Sequence, residues 1–150
     1  MKTILAAVDG SEPAWKALEI AADLARFYGA RLHVLHVLPV EPVPEGLLAF
    51  ARAENIPLEE EIGRYESERL AGDAILREAA ERARAKGVAE VETTAEEGSP
   101  APVIVAAAER LGADLVVLGS RGRTGLLAGL LGSVALEVAR KAKASVLVVR

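Results

Sequence analysis

The chain of 150 residues has no cysteine and no glutamine, and its only asparagine is Asn55. Without thiols it has no disulfide, no thiolate nucleophile and no cysteine-held metal, which fits a reducing compartment. Aromatics are 3% of residues although 51% are hydrophobic, so the core must be built from Ala, Val, Leu and Ile. No apolar run approaches the roughly 20 residues of a membrane span. Met1-Lys2-Thr3-Ile4 passes straight into a strand pattern, without the layout of a signal peptide. Positive charge is not in excess: the formal net charge of −4 argues against broad nucleic-acid binding. There is no G-x-x-x-x-G-K-[ST] P-loop, no G-x-G-x-x-G after the first strand and no G-x-S-x-G nucleophile elbow. No carboxylate pair, Ser-His-Asp set or metal-binding His cluster stands out. The scarcity of amide side chains beside many Arg, Glu and Ala residues points to a thermophilic host.

What is present is alternation. Ile4 to Val8 reads as a buried strand, and Pro13 to Tyr28 as a helix with Ser11 as N-cap and Gly29 at its end. Arg31 to Leu38 is a second strand, stopped by Pro39. Val40 to Pro57, with Pro42 and Pro44 inside it, reads as a loop holding a short helix over Leu47 to Arg52. Leu58 to Lys86 is a long charged helix whose Glu and Arg residues form a solvated face. Val88 to Glu96 is strand three and Gly98-Ser99-Pro100 starts a helix to Leu111. Leu115 to Leu118 is strand four, Ser133 to Lys143 the last helix and Ser145 to Val149 the last strand. The pattern specifies an α/β fold in one domain over residues 1–150, a five-stranded parallel sheet with helices on both faces. Strands one and four are apolar throughout and belong at the centre, whereas polar strand three suits an edge. The order 3-2-1-4-5 satisfies this, and its winding reverses between strands one and four, where such sheets bind ligands.

The C-terminal ends of those two strands are Val8-Asp9-Gly10 and Leu118-Gly119. The second opens Gly119-Ser-Arg-Gly122-Arg-Thr-Gly125, and nine residues from Arg123 to Leu131 separate Gly122 from Gly132-Ser133. A strand feeding a glycine-rich loop that opens a helix is a way to cradle phosphate, because glycines admit backbone N–H groups to the anion. Arg121 and Arg123 add two cations with no acid beside them. The plainer alternative is a connection whose glycines only turn the chain. Asp9 accepts hydrogen bonds from ribose hydroxyls or holds water around a metal in one reading, and is a turn residue in the other. Ser133 is an N-cap, a phosphate ligand, or both. The backbone of Val37 lies just past the sheet, placed to read a purine edge. His33 and His36 point to opposite faces and read as structural, with His36 a candidate pocket-lining residue.

These residues together resemble the universal stress protein family along the whole chain. The marks are Ile4-Leu-Ala-Ala-Val-Asp9-Gly-Ser11, Leu35-His-Val37, Asp114 through Gly125, Gly132-Ser133-Val134 and the closing Ala144-Ser-Val-Leu-Val-Val149. Members that bind ATP share G-x2-G-x9-G-[ST], a spacing that Gly119, Gly122, Gly132 and Ser133 meet without departure. The resemblance implies the Rossmann-like fold of the adenine nucleotide α-hydrolases. It implies ATP, with Mg²⁺, as ligand: Asp9 and Gly119 at the ribose, Val37 at adenine, and Gly122, Gly132, Ser133 and the Val134 N–H at the phosphates. It also implies a cytoplasmic homodimer, paired through strand five, that acts in the stress response with at most weak ATPase activity. A slow ATP hydrolase and a structural dimer module without nucleotide are the alternatives.

Overall fold

The residues described by the computed structural model are 1–40, 44–122 and 131–150. Among them the elements are, in chain order, β1 (Thr3–Ala7), α1 (Glu12–Tyr28), β2 (Arg31–Leu38), α2 (Glu45–Ala53), α3 (Glu59–Ala85), β3 (Val91–Glu97), α4 (Pro100–Leu111), β4 (Leu115–Gly119), α5 (Ser133–Lys141) and β5 (Ser145–Val149). The boundary residues of α1 act as the sequence predicts. Ser11 Oγ accepts from the Ala14 N–H, Pro13 sits in the first turn, and Gly29 closes the helix at φ +65°. Left-handed backbone of that kind costs glycine little and other residues more.

The sheet is parallel with strand order β3-β2-β1-β4-β5. Alternation along the strands feeds two cores. Ile4, Ala6, Leu32, Val34, Leu115 and Val117 meet α1 and α3 on one face, and Leu5, Leu35, Val116 and Leu118 meet α4 and α5 on the other. The helices present small residues: Ala14, Ala17, Ala21, Ala22 and Ala25 from α1, and Ala101, Ala107 and Ala108 from α4. Methyl-sized contacts at helical spacing let helix and sheet approach closely, so a core poor in aromatics still packs.

Most boundaries agree with the sequence reading to within two residues, and three of the differences have a local cause. Strand three starts at Val91 rather than Val88, because the Val88 N–H donates back to Ala83 O and its side chain packs with α1 and α3. The last helix stops at Lys141 because Ala142 is already extended. β1 ends at Ala7 rather than Val8, for a reason that belongs to the site below.

α3 is much longer than the sheet is deep. Its 27 residues span about 40 Å, whereas the 8 residues of β2 span about 26 Å. All its buried residues, Gly72, Leu76, Ala79, Ala80 and Ala83, lie at or beyond its midpoint. The first turns therefore overhang the C-terminal ends of the strands, steadied by Tyr65 and Arg69 hydrogen-bonding Glu97. Intrahelical pairs Glu60–Arg64 and Glu78–Arg82 line its solvated side, as the charge pattern predicts. Gly72 marks where α3 settles on β2: a Cβ there would lie 2.8 Å from His36 Cδ2 and 2.9 Å from Leu38 Cδ2.

His33 is buried on the α4 face of β2. Its Nε2 lies 2.9 Å from Thr94 Oγ1, and its Nδ1 lies 3.5 Å from Glu92 Oε2, too far for a hydrogen bond. Burial holds its pKa below the ordinary 6.5, although Glu92 pulls the other way.

Two outcomes follow from this packing. Gly63, on the same helix, has open space around its Cβ position. Gly63→Ala should raise stability by about 0.5–1 kcal/mol through helix propensity. Gly72→Ala gains the same propensity but meets an overpacking cost of about 1–3 kcal/mol, so it should lower stability. Denaturant melts giving shifts of equal sign would refute the close contact. Because the folded His33 resists protonation, its contribution is complete above about pH 6.5 and is lost as pH falls through the lowered folded value. His33→Asn should therefore flatten the loss of stability between about pH 7.5 and 5.5. An unchanged slope in melts across that window would remove His33 as its source.

Candidate functional site

The site grows from the end of the β1–β2 ladder. Pairing ends at Ala7↔Leu35, with the Val8 N–H donating to Leu35 O at 2.9 Å. In a regular parallel ladder the next rung would carry the Val37 N–H to Val8 O. That rung is absent, and Val8 lies outside the strand. The Nδ1–H of buried His36 donates to Val8 O instead, at 2.8 Å. Odd-numbered residues of β2 direct their backbone groups to β1, as Leu35 does, and even-numbered ones to β3, as when Leu38 O accepts from Gly98. The Val37 N–H and C=O therefore point past the end of β1. Continuing the register sets them opposite Asp9.

Asp9 divides its two oxygens. Oδ1 accepts from the Ser11 N–H at 2.9 Å and so fixes the turn into α1. Oδ2 faces the other way, 3.1 Å from the Cβ position of Gly122. The turn role and the ligand role thus fall on different atoms of one carboxylate.

Two backbone bonds shape the end of β4. The N–H of buried Ser120 donates to Val149 O at 2.7 Å, and the Gly132 N–H donates to Ser120 O at 2.6 Å. Gly132 is closely held: its Cβ position lies 3.1 Å from Ser120 O and 3.3 Å from Arg121 Cα. Gly119 is packed harder still, its Cβ position 2.9 Å from the carbonyl carbon and Cβ of Pro13 in α1. Its glycine is thereby explained by strand–helix contact, before any ligand is considered. Asp9, Gly119, Gly122 and Gly132 converge at the β1/β4 crossover. Ser120 was not singled out from the sequence, where it is one small residue inside the glycine run.

Ser133 is not the N-cap of α5. Gly132 holds that position with φ −66° and ψ 156°, no side chain caps the helix, and Ser133 is its exposed first residue. The first N–H groups of α5, those of Ser133 and Val134 among them, precede the intrahelical ladder, whose opening bond runs from Leu136 N–H to Gly132 O. Arg121 is exposed beside Gly122, and Arg123 lies outside the described residues. The arrangement offers one carboxylate oxygen, outward backbone groups at Val37 and a helix start. It is suited to binding a hydroxylated anion.

Two cavities, of about 440 and 250 Å³, lie at the opposite end of the sheet, beside Gly112, Asp114 and Lys143 and beside Lys2, Gly29 and Glu90. Their charged groups have local explanations. The Lys2 and Thr3 N–H groups donate to Asp114 and hold its pKa below the usual carboxylate value, and Lys143 does the same to Glu109. Nothing there converges as Asp9 and the glycines do. Among the described residues no group of three His, Asp or Glu is placed to hold a metal ion, and no helix is long and apolar enough to cross a membrane.

The sequence model of the universal stress protein family matches residues 1–150. The chain is 38% identical to universal stress protein YxiE of Bacillus subtilis, over 98% of this chain and 97% of that one. Among solved structures, a universal stress protein in complex with cAMP is 33% identical, with a TM-score of 0.72 over 99% of this chain and 97% of that one. The universal stress protein of Archaeoglobus fulgidus in complex with dAMP is 27% identical, with a TM-score of 0.65 over 100% and 98%. The chain belongs to the universal stress protein family.

Proposed function

We propose that residues 1–150 act as one domain that binds ATP at the β1/β4 crossover and serves as a nucleotide-dependent regulator of the stress response. The observation that carries the reading is the meeting of Asp9 Oδ2 with Gly122, beside Gly132 and the start of α5. In this reading Asp9 Oδ2 accepts from the ribose hydroxyls and Gly119 lies beside the sugar. Val37 donates its N–H to a ring nitrogen of adenine and accepts from the exocyclic amine. Gly122, Gly132, Ser133 and the Val134 N–H hold the phosphates, where the helix start favours negative charge. Arg121 and Arg123 add positive charge. The cAMP and dAMP complexes of related chains support an adenine nucleotide as the ligand. The residues fit Mg²⁺ only in part: Asp9 supplies one hard oxygen, and the ion would take its other ligands from phosphates and water.

The same reading pairs two copies through β5. Ser145–Val149 occupies a sheet edge, with Val146, Leu147 and Val148 half-exposed. An apolar open edge invites strand pairing, and a twofold contact would satisfy its backbone groups.

Asp9→Ala should weaken ATP binding by about 1–3 kcal/mol, the worth of hydrogen bonds to a charged group. Gly122→Val, whose side chain would press on Asp9 Oδ2, should abolish binding while the fold survives. Calorimetry showing wild-type affinity in both variants would mean the site lies elsewhere. For the dimer, light scattering should give the mass of two chains at micromolar concentration. Val148→Pro should give one chain while circular dichroism reports an intact fold. A wild-type protein with the mass of one chain would end the pairing proposal.

A further inference from the structure

We infer that His36 is a positioning residue: by occupying the Val8 carbonyl it keeps the Val37 N–H and C=O out of the β1–β2 ladder and available to a ligand. The inference rests on the nucleotide reading for the identity of that ligand, and on geometry alone for the state of the backbone.

Two donors compete for one acceptor. Val8 O is the next acceptor of β1 in line for β2, and the Val37 N–H is its natural ladder partner. Had that rung formed, β1 would continue to Val8 and the recognition edge of Val37 would be consumed by the sheet. The imidazole of His36 reaches the same oxygen from its own strand at 2.8 Å. A carbonyl oxygen only accepts, so Nδ1 carries the proton and Nε2 faces α3. That side is closed by Gly72, whose missing Cβ leaves room for the ring: a side chain there would meet Cδ2 at 2.8 Å and Nε2 at 3.1 Å. The ring is thus wedged between α3 and the end of β1, buried among residues that fix its orientation. Gly72, an unfavourable residue for a helix interior, is explained by the same wedge.

This places specificity one step behind the contact. An outward N–H and C=O on one residue match adenine, which offers a ring acceptor beside an amine donor. They mismatch hypoxanthine, which presents a ring N–H and a carbonyl at the same edge. His36 touches neither base. It determines whether Val37 is free to make the distinction.

The test separates a backbone role from mere packing. Amide hydrogen exchange on the unliganded wild type should show Val37 exchanging at least about a hundredfold faster than Leu35, whose N–H lies within the ladder. In His36→Leu, which fills space but donates nothing, Val8 O is released and the Val37 amide should become protected. The preference for ATP over inosine triphosphate should then fall about tenfold. His36→Asn, whose amide nitrogen stands where Nδ1 stood, should keep the fast exchange and most of the preference even if both variants lose similar stability. A Val37 amide protected like Leu35 in the wild type overturns the inference, and that measurement needs no variant to fold. Equal loss of preference in the Leu and Asn variants, with Val37 exchange unmoved, also overturns it. The expected exchange pattern in a protein that binds no ATP supports the backbone role and overturns the nucleotide reading alone.

Discussion

β1 stops pairing with β2 at Ala7, and the layout of the C-terminal edge of the sheet depends on that stop. One rung further, Val8 and Val37 would be joined and Asp9 would continue a strand. Because His36 takes the Val8 carbonyl, the chain turns at Asp9, the carboxylate is divided between the Ser11 N–H and the glycine loop, and α1 begins. The start of α1 then receives the end of β4, since Gly119 packs directly on Pro13. A single displaced hydrogen bond thereby links the second, first and fourth strands at the point where the winding reverses. The local energies are modest, about 1 kcal/mol for a typical hydrogen bond. Their consequence is geometric: they decide which backbone groups stay out of the ladder.

The glycines divide by physical role. Gly29 closes α1 through its left-handed conformation. Gly72, Gly119 and Gly132 are small because a neighbour occupies the place of a side chain: an imidazole, a helix backbone and a strand carbonyl respectively. Among the described glycines, only Gly122 has a carboxylate oxygen, Asp9 Oδ2, as its near neighbour. A motif defined by glycine spacing therefore combines positions held by packing with a position left open beside a carboxylate. The packed members carry the geometry that brings the open one to Asp9.

This mixture explains what was legible in the sequence. Ser11, Pro13 and Gly29 announce α1 because caps act over one helical turn. The apolar character of Ile4–Val8 and Leu115–Leu118 against the polar Glu92–Glu96 orders the sheet, because burial on both faces leaves a compositional trace. The reversal of winding, and with it Asp9 beside Gly119 and Gly122, follows from that order. What stayed hidden depends on contacts distant in sequence. Val8 looks like strand, and only His36, 28 residues away, removes it. Val88 looks like strand, and its bond to Ala83 turns it into the core. Ser133 looks like a cap, but the pinning of Gly132 to Ser120 shifts the cap back by one residue. Ser120 carries no pattern at all, because its importance lies in its backbone.

The central claim is that an adenine nucleotide sits where the ends of β1, β2 and β4 meet, rather than in the larger cavity at the other end of the sheet. A titration of isotopically labelled protein with ATP, followed by backbone amide chemical shifts, tests it most directly. The account requires saturable shifts at Asp9, Val37, Gly122 and Gly132 through Val134, with Gly112, Asp114 and Lys143 unmoved. Shifts gathered around Gly112, Asp114 and Lys143, or none at millimolar ATP, would contradict it.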